Sequence, residues 1–436
     1  MRDFLLEIGT EEVPAPHLQP AVDHILSSFQ KLMRDMGLEY SELKAGSTPR
    51  RMFLIALGVQ ATQPDVQVNK TGPAKKIAWD EAGNLLPAAL GFLKKNNAEA
   101  KDLYLETSDK GEFIALNYIQ PGRPTAEILQ EWIPDLVNRL PFPKTMIWND
   151  SRLALSRPLR WLCVLWGSEV LDLEVGGVTS GNRSFGNRYL GMDRPLSISS
   201  ADEYLQVLTQ NAVLADRSAR RTRLVAELDS AKLDPGLKVV GDERLTDTVT
   251  DLVEFPTAVV AEFNPEFLSL PEKIITSTIS QNQKYYSVQD GEGHLSNKFV
   301  FISNGDPACS DLIRQGNEKV VAARLADALW YFREDTKKPL EAYVQRLNEV
   351  VFQSKLGTLA DKTERIVRIT AQLCRQLKLD ETNTALAARS ALLCKADLVT
   401  TMLGEKEFTK LQGYIGKHYA LASGEDSRVA EAIHEH

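Results

Sequence analysis

Metal and disulfide chemistry find little to work with in this 436-residue chain. Its four cysteines, Cys163, Cys309, Cys374 and Cys394, form no C-x-x-C pair and sit in apolar or helical surroundings, which argues for reduced thiols against a zinc or disulfide framework. No H-E-x-x-H occurs, and His434-Glu-His436 offers at most an adventitious metal contact. A phosphate-cradling loop is missing too, since neither G-x-x-x-x-G-K-S/T nor G-x-G-x-x-G appears. Apolar runs are short: none approaches the roughly 18 residues of a membrane helix, and Met1-Arg-Asp-Phe-Leu-Leu-Glu7 is too short in its apolar part for a signal peptide. Positive charge is scarce overall. With 51 Lys and Arg against 59 Asp and Glu, a net charge of -8 and a pI near 5.5, no global basic field draws the chain to nucleic acid or an acidic membrane. Any RNA contact therefore has to be a local patch. Length and composition predict a soluble cytoplasmic protein of about two to four domains.

What is present is organised around Asp251 to Gly305. Thr257-Ala-Val-Val-Ala261 and Phe299-Val-Phe-Ile302 read as short buried strands. Leu270-Pro271-Glu272 opens a helix between them, because proline is tolerated at a first helical position and a carboxylate suits the positive end. Earlier residues mix helices and strands, and after Gly305 the pattern is helical. Phe4 to Ile8 reads as a strand broken by Gly9-Thr10, with Glu7 at its end and Glu11 or Glu12 in the turn. Leu18, Val22, Ile25, Leu26, Phe29, Leu32, Met33 and Met36 then share one helical face, and Gly37 is the stop signal. Arg51 to Val59 supplies another strand, entered through a turn in which Arg50-Arg51 is expected to be solvated. Residues 60 to 125 look like a small region of their own. The helix from Thr125 to Leu140 contains Pro134, which predicts a kink or split. Toward the far end, Ile366, Ile369, Leu373 and Leu377 mark one helix face, with Arg365, Arg368, Arg375 and Lys378 on its other sides. Leu386, Leu393, Ala396, Thr400 and Leu403 mark a second.

The unusual composition lies between residues 144 and 195, where Trp148, Trp161 and Trp166 accompany Arg152, Arg157, Arg160, Arg183 and Arg188. Guanidinium groups suit phosphate forks and base stacking better than ammonium groups. These five arginines, with Lys284, are the candidate RNA-binding residues, and the alternative is a tryptophan core with an arginine-bearing edge. No catalytic set is found. Glu7, Glu11 and Glu12 lack an identifiable acid–base partner.

Several long stretches also match one family in its order. Glu7-Ile-Gly-Thr-Glu-Glu-Val-Pro14, Leu252-Val-Glu-x-Pro256, Gln283-Lys-Tyr285, Gly316-Asn-Glu318, Arg324-Leu-Ala-Asp327 and Val351-Phe-Gln-x-x-Leu-Gly-Thr-Leu359 closely resemble the β subunit of bacterial heterotetrameric glycyl-tRNA synthetase. The resemblance covers the chain end to end. It implies a chain that binds tRNA(Gly) and completes an α2β2 ligase, with a second β chain in the assembly. A separate α subunit would use glycine and ATP, with Mg, to make the adenylate, so no cofactor and no metal are expected on this chain.

The resemblance also implies an α+β, multidomain fold: an N-terminal α/β segment (1–60), a mixed α/β region similar to the editing-type domain of the phenylalanine enzyme (61–240), a strand–helix–strand joint (241–310) and an all-helical HD-like domain (311–436). Because the last helical pattern at Ser427 to His436 has no cap, truncation ahead of an anticodon-binding domain is expected. HD-type hydrolysis needs a His-Asp doublet, and here that position reads Lys395-Ala396-Asp397. Asp397 is therefore expected to be structural, partnered by Arg389 or a helix N-terminus. A stand-alone HD-type metal phosphohydrolase and a noncatalytic RNA-binding scaffold are the alternatives.

Overall fold

Nine residues, β1 (Arg2–Thr10), form the centre of the first of two compact units, Met1–Arg217 and Ser218–His436. The computed structural model describes residues 1–80, 83–108 and 111–436. β1 is longer than its apolar core suggests, running through Gly9 and Thr10. It pairs antiparallel with β3 (Arg51–Val59) on one side and β4 (Leu159–Trp166) on the other, and β2 (Glu42–Thr48) extends the sheet beyond β3. Val178–Gly181 joins β4 in parallel. A strand covered on both faces reads as a nearly continuous apolar run, and β1 does so. Phe4, Leu6 and Ile8 point into one core, while Leu5 shares the other with Phe53, Cys163 and Tyr204.

The first core is closed by two helices, α1 (Ala15–Met36) and α2 (Thr125–Asn138). Leu18, Val22, Ile25, Phe29 and Met33 bury the predicted face of α1, and Gly37 ends it in the left-handed conformation with φ 64°. Phe29 stacks on Phe4 at 5.9 Å and meets Trp132 edge-on at 5.7 Å. The predicted split at Pro134 does not occur. α2 runs through it because Ile128, Leu129, Trp132, Ile133, Leu136 and Val137 are all buried, and that burial outweighs one lost backbone hydrogen bond. Between β3 and α2, the strands Val66–Ala74, Leu103–Ser108 and Gly111–Gln120 form a separate antiparallel sheet under the helix Pro87–Asn96, around Ala78, Ala89 and Ile114.

The second unit is built on a four-stranded sheet in the order Lys238–Val240, Tyr286–Gln289, β6 (Leu295–Ser303), β5 (Thr257–Glu262). Leu224, Leu245 and Val249 cover one face over Tyr286, Val288 and Val300. Val259, Ala261, Phe299 and Phe301 of the other face pack on the helical remainder, including Val321, Leu325 and Leu329 of α3 (Ser310–Asp335). The helix Glu272–Thr276 continues into a π-helical turn, Ser277–Asn282. Beyond α3 come α4 (Leu359–Gln376), α5 (Glu381–Leu393) and α6 (Tyr414–Ala422). A hairpin, Val351–Gln353 with Gly357–Thr358, interrupts them, so this region is mainly rather than wholly helical. The chain as described is α+β, and among the described residues no helix is long and apolar enough to cross a membrane.

Candidate nucleic-acid interface

The C-terminal end of β1 gathers segments that are far apart in sequence. Thr10 N–H donates to the Arg50 carbonyl at 2.8 Å, Glu11 N–H to that of Pro158 at 3.0 Å, and Val13 N–H to that of Pro49 at 2.7 Å. The turn after β1 is thereby fixed between the β2–β3 connection and the start of β4. Gly9 lies between Arg51 and Trp161 in register. A Cβ here would fall 1.9 Å from the Trp161 ring, so only glycine lets the indole approach the backbone this closely.

Beneath this turn lies a fully buried ion pair. Arg51 Nη1 donates to Glu7 Oε1 at 3.1 Å, and the Ser184 hydroxyl donates to the same oxygen at 2.8 Å. The Phe185 carbonyl accepts from Arg51 at 2.8 Å. Glu7 Oε2, Trp161 Nε1 and the Tyr204 hydroxyl have no partner of normal geometry among the described residues. Burial pushes the Glu7 carboxyl up, against the lowering effects of Arg51, Ser184, Trp161 and Tyr204, and burial with the Glu7 charge pushes the neighbouring Cys163 thiol well up. Ser184 and Glu7 are both fully buried, so the hydroxyl held by this carboxylate has no access to a substrate. The arrangement anchors the strand carrying Ser184 to the sheet.

Above it is a half-open layer. Arg50 reaches Asp193 at 3.1 Å, and Arg188 bridges Glu11 at 2.9 Å and Asp193 at 3.7 Å. Arg160 meets the other oxygen of Glu11 at 3.2 Å. The Tyr189 hydroxyl bonds Glu12, and that bond pushes its pKa up to about 12. Both members of Arg50-Arg51 are buried, contrary to the solvated turn expected from the sequence, because each has a carboxylate supplied from elsewhere in the chain. Trp161 also lies within 5.5 Å of both guanidinium groups, measured to its centroid.

The predicted RNA-contacting residues divide accordingly. Arg160 and Arg188 converge on Glu11. Arg157 and Arg183 are exposed and carry no ion pair among the described residues; Arg157 donates to the Ser156 carbonyl at 2.9 Å. Arg152 is exposed in a left-handed conformation, φ 59°, and its backbone N–H donates to the Asn149 carbonyl at 3.3 Å. Lys284 belongs to the second unit, where it is also left-handed (φ 62°) and donates to the Gln281 carbonyl at 2.6 Å. Trp148 packs on the first core, leaving Tyr189 as the exposed ring of this edge. Ser184, Asp193 and Tyr204 were missed by sequence reasoning. One signal was available: a glutamate inside the apolar run Phe4 to Ile8 has to find a partner.

In the second unit, residues of the matched motifs make structural bonds, and one of these joins two motifs, Tyr285 to Asn317. Asn304 accepts from Glu254 N–H at 3.0 Å and Phe255 N–H at 3.1 Å, Tyr285 bonds Asn317, and Glu318 holds Arg314 at 2.9 Å. Asp397 is fully buried, and its Oδ2 accepts from Gly413 N–H at 2.7 Å, at the start of α6. Of the two partners expected, the helix N-terminus is therefore the one found, while Arg389 pairs with Glu341 and Glu425. Among the described residues no three His, Cys, Asp or Glu side chains form a group suited to a metal.

Fold and site together define a two-unit α+β protein with an arginine-bearing edge braced on a buried ion pair. Comparison with known proteins carries this further: the chain belongs to the glycyl-tRNA synthetase beta subunit family, whose model matches residues 4–436. It is 38% identical over 437 residues to the glycine–tRNA ligase beta subunit of Clostridioides difficile, and 37% identical over 435 residues to that of Bacillus subtilis. The Desulforudis audaxviator subunit is 39% identical over 433 residues. Between 99% and 100% of this chain is covered in each case, whereas it spans 62–63% of the relatives' length.

Proposed function

We propose that the chain acts as the tRNA-engaging, noncatalytic β part of a cytoplasmic glycine–tRNA ligase. A companion α subunit makes the glycyl adenylate from glycine and Mg-ATP, and two copies of each chain complete the enzyme. Family membership supports this assignment. The observation that carries the tRNA contact is the edge at the end of β1: Arg157 and Arg183 stand open beside a network whose own carboxylates are already occupied by Arg50, Arg160 and Arg188. An acidic chain can hold a polyanion only through such a local surface.

The helical region of the second unit is proposed to be an HD-like domain without hydrolytic chemistry. Asp397, the aspartate of the doublet-like position, is used as a cap for α6, which supports the ligase reading over a metal phosphohydrolase.

The test is tRNA(Gly) affinity against salt for single arginine variants in the complete α and β assembly. Each lost phosphate contact should flatten the slope of log affinity on log salt by about 0.7 to 0.9. Arg157→Ala and Arg183→Ala are expected to show that change, and Arg160→Ala and Arg188→Ala a smaller one, since Glu11 already neutralises part of their charge. Unchanged affinity and slope in all four, with the fold intact, would remove this edge from tRNA binding.

A further inference from the structure

The apolar stripe of α4 is not buried. Ile369, Leu373 and Leu377 are 52%, 50% and 69% exposed, and Ile366 precedes them by one turn on the same face. Lys362 continues the row toward the N-terminus, where its Nζ lies 4.0 Å from the Phe352 ring centroid. This joins the stripe to the hairpin, whose Val351, Phe352 and Leu356 are 71%, 41% and 52% exposed. The result is one continuous aliphatic surface along a helix of 18 residues, unlike the scattered apolar side chains of an ordinary surface.

Its rim is basic in an acidic chain. Lys362 stands in the row and Arg365 at its edge, while Arg368, Arg375 and Lys378 lie on the other sides of the helix with Asp361 and Glu364. Asp361 is engaged in the capping box with Thr358. Among the described residues Arg365 carries no ion pair, and Lys362 meets only the Phe352 ring. Elsewhere in the same unit Arg314, Arg324, Arg333, Arg346, Arg389 and Arg428 each have one. A guanidinium and an ammonium group without carboxylate partners beside an open Ile/Leu row match an occupant that brings both carboxylates and aliphatic anchors.

We propose that this face docks an acidic amphipathic helix of a partner protein, aliphatic residues at i, i+3, i+4 and i+7 meeting the stripe and its carboxylates meeting Lys362 and Arg365. A second copy of the face would set basic rim against basic rim. RNA would meet the cations through its phosphates and leave the isoleucine and leucine row uncovered.

The proposal is independent of the ligase assignment, and its test needs only the 436-residue chain. The probe is a synthetic helix of about six turns with leucine at the anchor positions and glutamate on the flanks. Its control carries lysine in place of glutamate. The glutamate helix should bind at least about tenfold more tightly than the lysine helix, and the preference should shrink with added salt. Leu373→Asp should abolish binding, and Lys362→Glu with Arg365→Glu should reverse the preference; both are surface changes whose folding circular dichroism checks. Equal binding of the two helices, or none, would overturn the proposal. So would tRNA binding lost in the charge-reversed variant, or self-association lost in Leu373→Asp, which would assign the face to RNA or to a second copy. Hydrogen-exchange protection of α4 in the longer Bacillus subtilis relative alone would also overturn it, giving the face to packing within the family chain.

Discussion

Both units bury a carboxylate completely, and they solve the problem differently. Glu7 in the first is answered by a full opposite charge on Arg51, drawn from the neighbouring strand, and by the Ser184 hydroxyl. Asp397 in the second is answered mainly by backbone, at the start of α6, through Gly413 and Gly416, with a smaller contribution from the Lys395 charge. An ion pair offsets part of the cost of burial, and only while both members are present; the Glu7 carboxyl is still pushed up. Partial charges at a helix start compensate less, so Asp397 keeps a carboxyl raised to about 6, chiefly by burial. The first arrangement is therefore the more vulnerable to mutation of a single side chain, while both carboxyls are raised by burial.

The largest expected effect breaks the ion pair. Arg51→Ala leaves Glu7 buried and uncompensated, which should cost about 3–5 kcal/mol. Replacing both groups with Glu7→Gln and Arg51→Met should recover much of that loss. Chemical denaturation with hydrogen exchange followed at residues 2–10 reads it; a single mutant no worse than the double would contradict the account.

Next comes the pH comparison. Because the folded Asp397 binds its proton more tightly than a free aspartate does, protonation contributes stability that is fully present below about pH 4 and lost as pH rises through about 6. The difference is at most about 3 kcal/mol. Asp397→Asn, which keeps an acceptor for Gly413, should remove that dependence. Melting temperatures of both proteins between pH 4 and 7 decide it, and parallel curves would show that Asp397 does not titrate there. The smallest effect sharpens the first unit again: Ser184→Ala removes one of the two donors to Glu7 Oε1 and should cost about 1 kcal/mol, visible in the same denaturation measurement.

Local pattern made much of the fold legible. The apolar spacing of α1, the stop at Gly37 and the strands at Thr257 and Phe299 could be read because each depends on neighbours within a turn or a pleat. The strand Tyr286–Gln289 escaped notice because it is only four residues long, although Tyr286 and Val288 alternate with Ser287 and Gln289 and share one core. The two helical stripes near the end looked alike as sequence. Leu393, Ala396, Thr400 and Leu403 are buried, while Ile369, Leu373 and Leu377 are open, because amphipathicity states that a face wants cover without stating what supplies it.

The site shows the same division. Composition placed an arginine-bearing edge near Trp161, and chain-wide matches placed the protein in its family. Which arginines are free was decided only by tertiary structure. Glu7 meets Ser184 across 177 residues, Arg188 meets Glu11 across the same separation, and Arg50 meets Asp193 across 143. Periodicity and capping are properties of residues within a few positions of one another, so the sequence alone determined them. Charge neutralisation at the end of β1 depends on strand order and register, and no local pattern encodes which distant carboxylate will arrive beside which guanidinium group.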